Sequence, residues 1–116
     1  MKIVYLNVVE KKAPAVMDIE ITPRSLQKWI RSKKIKMAER SFLGDKYTVF
    51  YDNDYYHKEP IISAYFVNGS FPLIGNLIVA GKRGENGIIS NLTEKDIDRI
   101  LSVCILSKGY YFFSLR

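Results

Sequence analysis

Hydrophobic and polar positions alternate with changing period along the chain, and each change marks an element. Residues 2–9 (KIVYLNVV) are β-branched and aromatic, which favours a strand. After a turn at Lys11–Pro14, residues 16–21 put Val16, Asp18 and Glu20 on one face and Met17, Ile19 and Ile21 on the other, the period of a second strand pairing with the first. At Thr22-Pro23 the period lengthens. Threonine caps free amides and proline suits the first helical position, so Leu26, Trp29 and Ile30 predict a helix over about 23–32, with Arg24, Lys28 and Arg31 on its other face. Residues 34–42 and 47–52 return to strand character around the turn-forming LGDK of 43–46, and Asp52-Asn53-Asp54 turns the chain again.

The second half repeats the theme. Pro60 excludes a central strand at that point, 61–67 reads as a strand or a buried extended run, and Asn68-Gly69 as a turn. Residues 73–81 (LIGNLIVAG) read as one buried strand with a bulge at Gly75, followed by a glycine-rich loop over 81–87 and a short return at 88–90. Thr93 caps a second helix with Glu94 and Asp96 in its first turn. Ile97, Ile100, Leu101, Cys104 and Ile105 extend its apolar stripe, giving about 93–106, with Gly109 as the stop and 110–115 as a last strand or packed tail. The expected fold is a single α+β domain over 1–116: a mostly antiparallel sheet of five to seven strands with two helices.

Composition narrows the class. The 116 residues suffice for a core without disulfides or metals, and the 47% hydrophobic content disfavours disorder. One cysteine, Cys104, disfavours a secreted disulfide scaffold. The N-terminal apolar run is short and broken by Asn7, unlike a signal peptide, and no stretch reaches the ~18–20 apolar residues of a spanning helix. The expectation is a cytoplasmic protein with no membrane partner. The net charge of +6 attracts polyanions.

Most catalytic and metal-binding patterns are missing from the sequence. Five residues separate Gly75 from Gly81, and Lys82 is followed by Arg83, so the phosphate-binding P-loop pattern fails. A weak anion contact by Lys82 and Arg83 stays open. One histidine and one cysteine make no metal set, and Asp52, Asp54 and Glu59 lack calcium-loop spacing. His57 has no nucleophile placed beside it, and Cys104 sits on the apolar stripe, so no enzyme and no cofactor are expected, with an enzyme using His57 as a base the alternative.

Two clusters remain. Arg24, Lys28, Arg31, Lys33, Lys34, Lys36 and Arg40 crowd one stretch. A solvated helix face, a phosphate-contacting surface and a patch steering toward an acidic protein all fit them. Tyr47, Tyr51, Tyr55 and Tyr56, with Tyr65 further on, suit either an interface or cross-strand packing, Tyr47 and Tyr51 sharing one strand face. The partner-binding candidates are Lys28, Arg31, Lys34 and Lys36 for steering and Tyr51, Tyr55 and Tyr56 for contact.

The order of elements also resembles domain-of-unknown-function family 3846, small proteins of bacteriophages and mobile elements. The likeness lies in the MKIV opening strand, the SLQKWI helix, the YTVFYDND strand and turn, and IGNLIVAGKRGENGIISNLTEKDI, covering about 1–105. Where the family carries a Gly-Gly pair and an acidic residue after the first helix, this chain has Ser32, Lys33 and Lys34, and the tail from Gly109 is additional. The resemblance implies a mobile-element origin and carries over no catalytic residue. Together these readings lead to an expectation: a phage accessory protein that binds and inhibits a host macromolecule, such as a defence or nucleic-acid-processing complex, in the manner of an anti-CRISPR protein. Direct nucleic-acid binding through 24–40 and capture of a small anionic ligand or nucleotide are the alternatives.

Overall fold

The computed structural model describes residues 1–42, 44–54, 63–66, 73–107 and 110–113. Its central element is a five-stranded antiparallel sheet built from β1 (Lys2–Leu6), β2 (Ala15–Asp18), β3 (Ile35–Phe42), β4 (Asp45–Asp52) and β7 (Leu77–Ala80), in the order β2-β1-β7-β4-β3. Two helices, α1 (Pro23–Ile30) and α2 (Glu94–Val103), complete the α+β fold that the hydrophobic pattern predicts.

The helices cover opposite faces of this sheet. Leu26 and Ile30 of α1 pack with Ile3, Tyr5, Phe50 and Ile78, while Ile97 and Ile100 of α2 pack with Val4, Leu6, Tyr47, Val49 and Val79. Burial on both faces explains why β1 and β7 are unbroken apolar runs rather than alternating ones. The β2 edge keeps its alternation: Val16 is 46% exposed, whereas Met17 and Ile19 turn toward the α1 side. The expected cap forms on α1, where the Thr22 hydroxyl accepts from the Ser25 amide at 3.2 Å. On α2 the box is reciprocal: Thr93 Oγ1 accepts from the Asp96 amide at 3.1 Å and Asp96 Oδ2 from the Thr93 amide at 3.0 Å.

A second sheet joins β5 (Ser63–Phe66), β6 (Leu73–Ile74), β8 (Cys104–Ser107) and β9 (Tyr110–Phe113) in the order β6-β5-β9-β8, with β5 and β9 parallel. Two expectations change here. Residues 73–81 are not one bulged strand: the chain breaks at Gly75, whose φ of 85° is costly for other residues, and passes from the second sheet into the first. Nor does α2 continue to 106. Cys104 is already extended, at φ −99° and ψ 116°, because Cys104–Ser107 pairs with Tyr110–Phe113. Cysteine, isoleucine and the aromatics facing them suit a pleated surface, and that pairing overrides the helical spacing. Gly109 lies outside the described residues.

At the loop over 81–90, Arg83 and Ile89 form an isolated antiparallel bridge, so the predicted return strand is only a contact. Gly81 is required by close approach: a Cβ there would sit 2.1 Å from the Ser90 carbonyl oxygen.

Candidate functional site

Helix α1 ends abruptly. Arg31 takes the left-handed conformation at φ 63° and donates its amide to the Gln27 carbonyl at 2.9 Å. That conformation reverses the chain, as a glycine usually would. Ser32 Oγ then accepts from the Lys34 amide at 3.1 Å, and β3 begins at Ile35. On the neighbouring strand end, the Asp54 amide donates to Asp52 Oδ1 at 2.8 Å, and the Asn53 amide donates to the Lys34 carbonyl at 2.8 Å. The two turns are therefore tied together.

Between them lies a recess of about 660 Å³, lined by Arg24, Gln27, Lys28, Arg31, Ser32, Lys33, Lys34 and Asp54. Five cationic side chains thus face one carboxylate. Lys34 Nζ lies 3.7 Å from Asp54. Arg31 pairs with Glu10, which reaches in from the turn after β1 and also binds Lys12 at 3.1 Å. The Arg31 and Lys12 hydrogen bonds, reinforced by their charges, hold the Glu10 carboxyl down at about 2. Lys28 Nζ sits 4.9 Å from the centre of the Trp29 ring, which packs edge-on against Tyr5 at 5.5 Å. Trp29 is half-buried against the α1-side core, on the side its spacing with Leu26 and Ile30 predicts.

The recess rests on a residue the sequence reading passes over. Asn76, fully buried beside the Gly75 break, accepts from the Val9 amide at 3.1 Å and donates to the Tyr5 hydroxyl at 3.1 Å. The Tyr5 hydroxyl donates to the Trp29 carbonyl at 2.6 Å. One amide side chain thereby links the turn after β1, the core and the last turn of α1. The sequence signal was an asparagine set within an apolar run, LIGNLIVA, where a polar group must find partners.

The structure gathers Lys28, Arg31 and Lys34 with Arg24 and Lys33, but not Lys36. Lys36 stands opposite Tyr51 in the β3–β4 register, and the neighbouring Ala38 and Tyr51 pack against the α2-side core. Alternation therefore turns Lys36 away from the recess, although it borders a neighbouring hollow that shares Gln27 and Lys33 with the recess. The shared face of Tyr47 and Tyr51 is also a packing face. Tyr47 is 1% exposed, donates to Asp96 Oδ1 at 2.7 Å and accepts from Arg99 at 3.2 Å; Tyr51 is half-buried against the same cluster. Burial, then the Asp96 hydrogen bond, pushes the Tyr47 phenol above its ordinary value. The contact role expected of Tyr51 is thus limited to its exposed remainder. Tyr55, Tyr56, His57 and Glu59 lie outside the described residues, as does the side chain of Tyr65.

Lys82 Nζ is 3.1 Å from Asp45, which also pairs with Arg99. Arg83 and Lys82 border a small hollow of about 170 Å³ that also includes Glu39 and Lys46. With Asp45 and Glu39 close by, this is a weaker anion site than the recess. Cys104 packs against the α2-side core, and burial pushes its thiol up to about 12, which disfavours the thiolate that nucleophilic chemistry needs. Among the described residues, no group of three histidine, cysteine, aspartate or glutamate side chains could hold a metal ion, and no helix is long and apolar enough to cross a membrane.

No family model, no curated protein and no solved structure matches the chain.

Proposed function

We propose that this protein is a non-catalytic binding module that docks the polyanionic face of a host macromolecule, in a defence or nucleic-acid-processing complex, and acts by occupying that face. One observation carries the reading: Arg24, Lys28, Arg31, Lys33 and Lys34 converge on a single recess where, among the described residues, Asp54 is the one lining acid. Like charges so close together raise the local potential and speed encounter with an anionic surface. The resemblance to small bacteriophage and mobile-element proteins supplies the host context.

A second reading, direct binding of nucleic acid, draws on the same recess. Each phosphate neutralised contributes a slope of about −0.9 in log affinity against log salt on duplex DNA. Among the described residues, Arg24, Lys28 and Lys33 have no carboxylate paired with them in the way that Arg31 and Lys34 have. Three phosphate contacts predict roughly a 40-fold loss of affinity between about 50 and about 200 mM salt. The test replaces Arg24, Lys28 and Lys33 together by glutamine and measures binding to duplex DNA, single-stranded RNA and polyglutamate at both salt levels. Loss of binding in the variant supports docking at the recess, and the salt slope on DNA or RNA separates the two readings. Unchanged affinity for every polyanion removes the recess from function.

A further inference from the structure

Beside the cationic recess lies a second hollow of different chemistry. It measures about 510 Å³ and is walled by Pro23 and Leu26 of α1, Ile35 and Met37 of β3, and Phe50 of β4, with Lys36 also on its rim and Gln27 and Lys33 at the border it shares with the recess. Met37 is 45% exposed there although it is one of the larger apolar side chains of the sheet. The hollow opens along β3, which is eight residues long and terminal in the sheet order; among the described strands, none pairs with its outer edge. Such an edge presents a row of backbone donors and acceptors.

We infer that the outer edge of β3 receives an extended acidic peptide from a protein partner, with apolar residues alternating with carboxylates. The inference rests on the polyanion-docking reading for its charge component and adds the partner's chemistry. An added strand must send every second side chain to the α1 face and the others to the α2 face. On the α1 face they meet Ile35, Met37 and the hollow. Toward the α2 face they meet Lys36, which register sets opposite Tyr51 and which also reaches the rim of the hollow. Opposite charges on paired positions attract, so a carboxylate belongs opposite Lys36, with a flanking acid toward Lys33 and Lys34 at the start of the strand.

The lysines at 33, 34 and 36 favour an acidic strand as the occupant, and a second copy of the chain is an outcome the test separates. Backbone pairing would then supply affinity, and the alternating pockets specificity.

The experiment titrates the full chain with four probes: a peptide of about ten residues alternating leucine and glutamate, the same peptide N-methylated on the amides of one edge, polyglutamate of equal length, and a single-stranded DNA of equal charge. The alternating peptide is expected to bind at least about tenfold more tightly than polyglutamate, and N-methylation to remove that advantage, because several backbone hydrogen bonds are lost. Met37→Gln, at an exposed position, should weaken the alternating peptide alone and leave the melting temperature unchanged. Equal affinity for the alternating peptide and polyglutamate, binding of DNA only, or a chain dimer broken by blocking β3 would each overturn the edge inference while the cationic recess stands. Failure of all four probes to bind would overturn both.

Discussion

Replacing Asn76 by alanine tests whether the recess is held by a single buried side chain. Two hydrogen bonds of 3.1 Å disappear, one accepted from the Val9 amide and one donated to the Tyr5 hydroxyl; the 3.4 Å approach to the Trp29 carbonyl is too long to count for much. Two neutral hydrogen bonds contribute about 2 kcal/mol net, and leaving the Val9 amide without a partner adds roughly another 1 kcal/mol or more. The expected loss is therefore about 3 kcal/mol. For a domain of this size that lowers the melting temperature by about 12 °C. Thermal unfolding followed by circular dichroism reads the loss, and the fluorescence of Trp29, the only tryptophan in the chain, reports whether the last turn of α1 has moved.

A companion variant fixes the cause. Asn76→Asp keeps the acceptor for Val9 but sets a second acceptor against a tyrosine hydroxyl already committed to the Trp29 carbonyl. A buried carboxylate is disfavoured when charged, so its folded-state titration moves upward. The penalty is then small below about pH 4, where the carboxyl is protonated in both states, and grows as the pH rises. A melting temperature within about 4 °C of the parent for Asn76→Ala would mean the network contributes no more than one ordinary hydrogen bond. The account of how α1 is anchored would then fail.

Three further outcomes follow from particular contacts. Gly81→Ala drives a Cβ to 2.1 Å from the Ser90 carbonyl oxygen, so the loop backbone must shift. The expected cost is about 1–3 kcal/mol in urea unfolding, and a neutral substitution would contradict the close approach. At Asp96, partial burial opposes the charge, but the Thr93 amide, the Tyr47 hydroxyl and the Thr93 hydroxyl outweigh it and hold the carboxyl below its usual value. A lowered folded-state value stabilises above the unfolded value and is lost as the pH falls through the folded one, so Asp96→Asn should destabilise near neutrality and converge with the parent as the pH falls through that lowered value. A parallel offset across the whole acid range would exclude this linkage. The Cys104 thiol, raised to about 12, should resist iodoacetamide at neutral pH until the chain is unfolded, whereas labelling at the rate of an exposed thiol would place it outside the core.

The elements most legible in the sequence are those whose signal is local. Thr22-Pro23 and the Thr93–Asp96 box mark helix starts because a side chain caps its own amides, and Ala15–Asp18 alternates because a one-faced edge strand must. What was illegible depends on distant partners. Cys104 and Ile105 keep helical spacing, yet the pairing of Cys104–Ser107 with Tyr110–Phe113 decides their conformation. The run from Leu73 to Ala80 looks like one strand, but it serves two sheets. The site divided in the same way. Lys28, Arg31 and Lys34 were legible as a basic group because a short turn joins them. The separation of Lys36 depends on which residue of β4 it faces, and the burial of Tyr47 depends on α2 packing over it.

The arrangement of charge bears on whether the recess is incidental. Elsewhere the molecule interleaves its signs: Asp45 sits with Lys82 and Arg99, and Asp18 meets the N-terminal ammonium at 2.6 Å. A surface tuned for solubility alone mixes charges in this way. Around the end of α1 the pattern reverses. The left-handed turn at Arg31 folds the cations of the helix back beside those of 33–34, with Glu10 and Asp54 the acids seen to pair with them among the described residues. That crowding costs stability in the free protein and is relieved when an anion arrives. A bound polyanion should therefore raise the melting temperature by relieving this repulsion in addition to simple occupancy. Neutralising Arg24, Lys28 and Lys33 should raise the melting temperature of the free protein while abolishing the gain from the ligand.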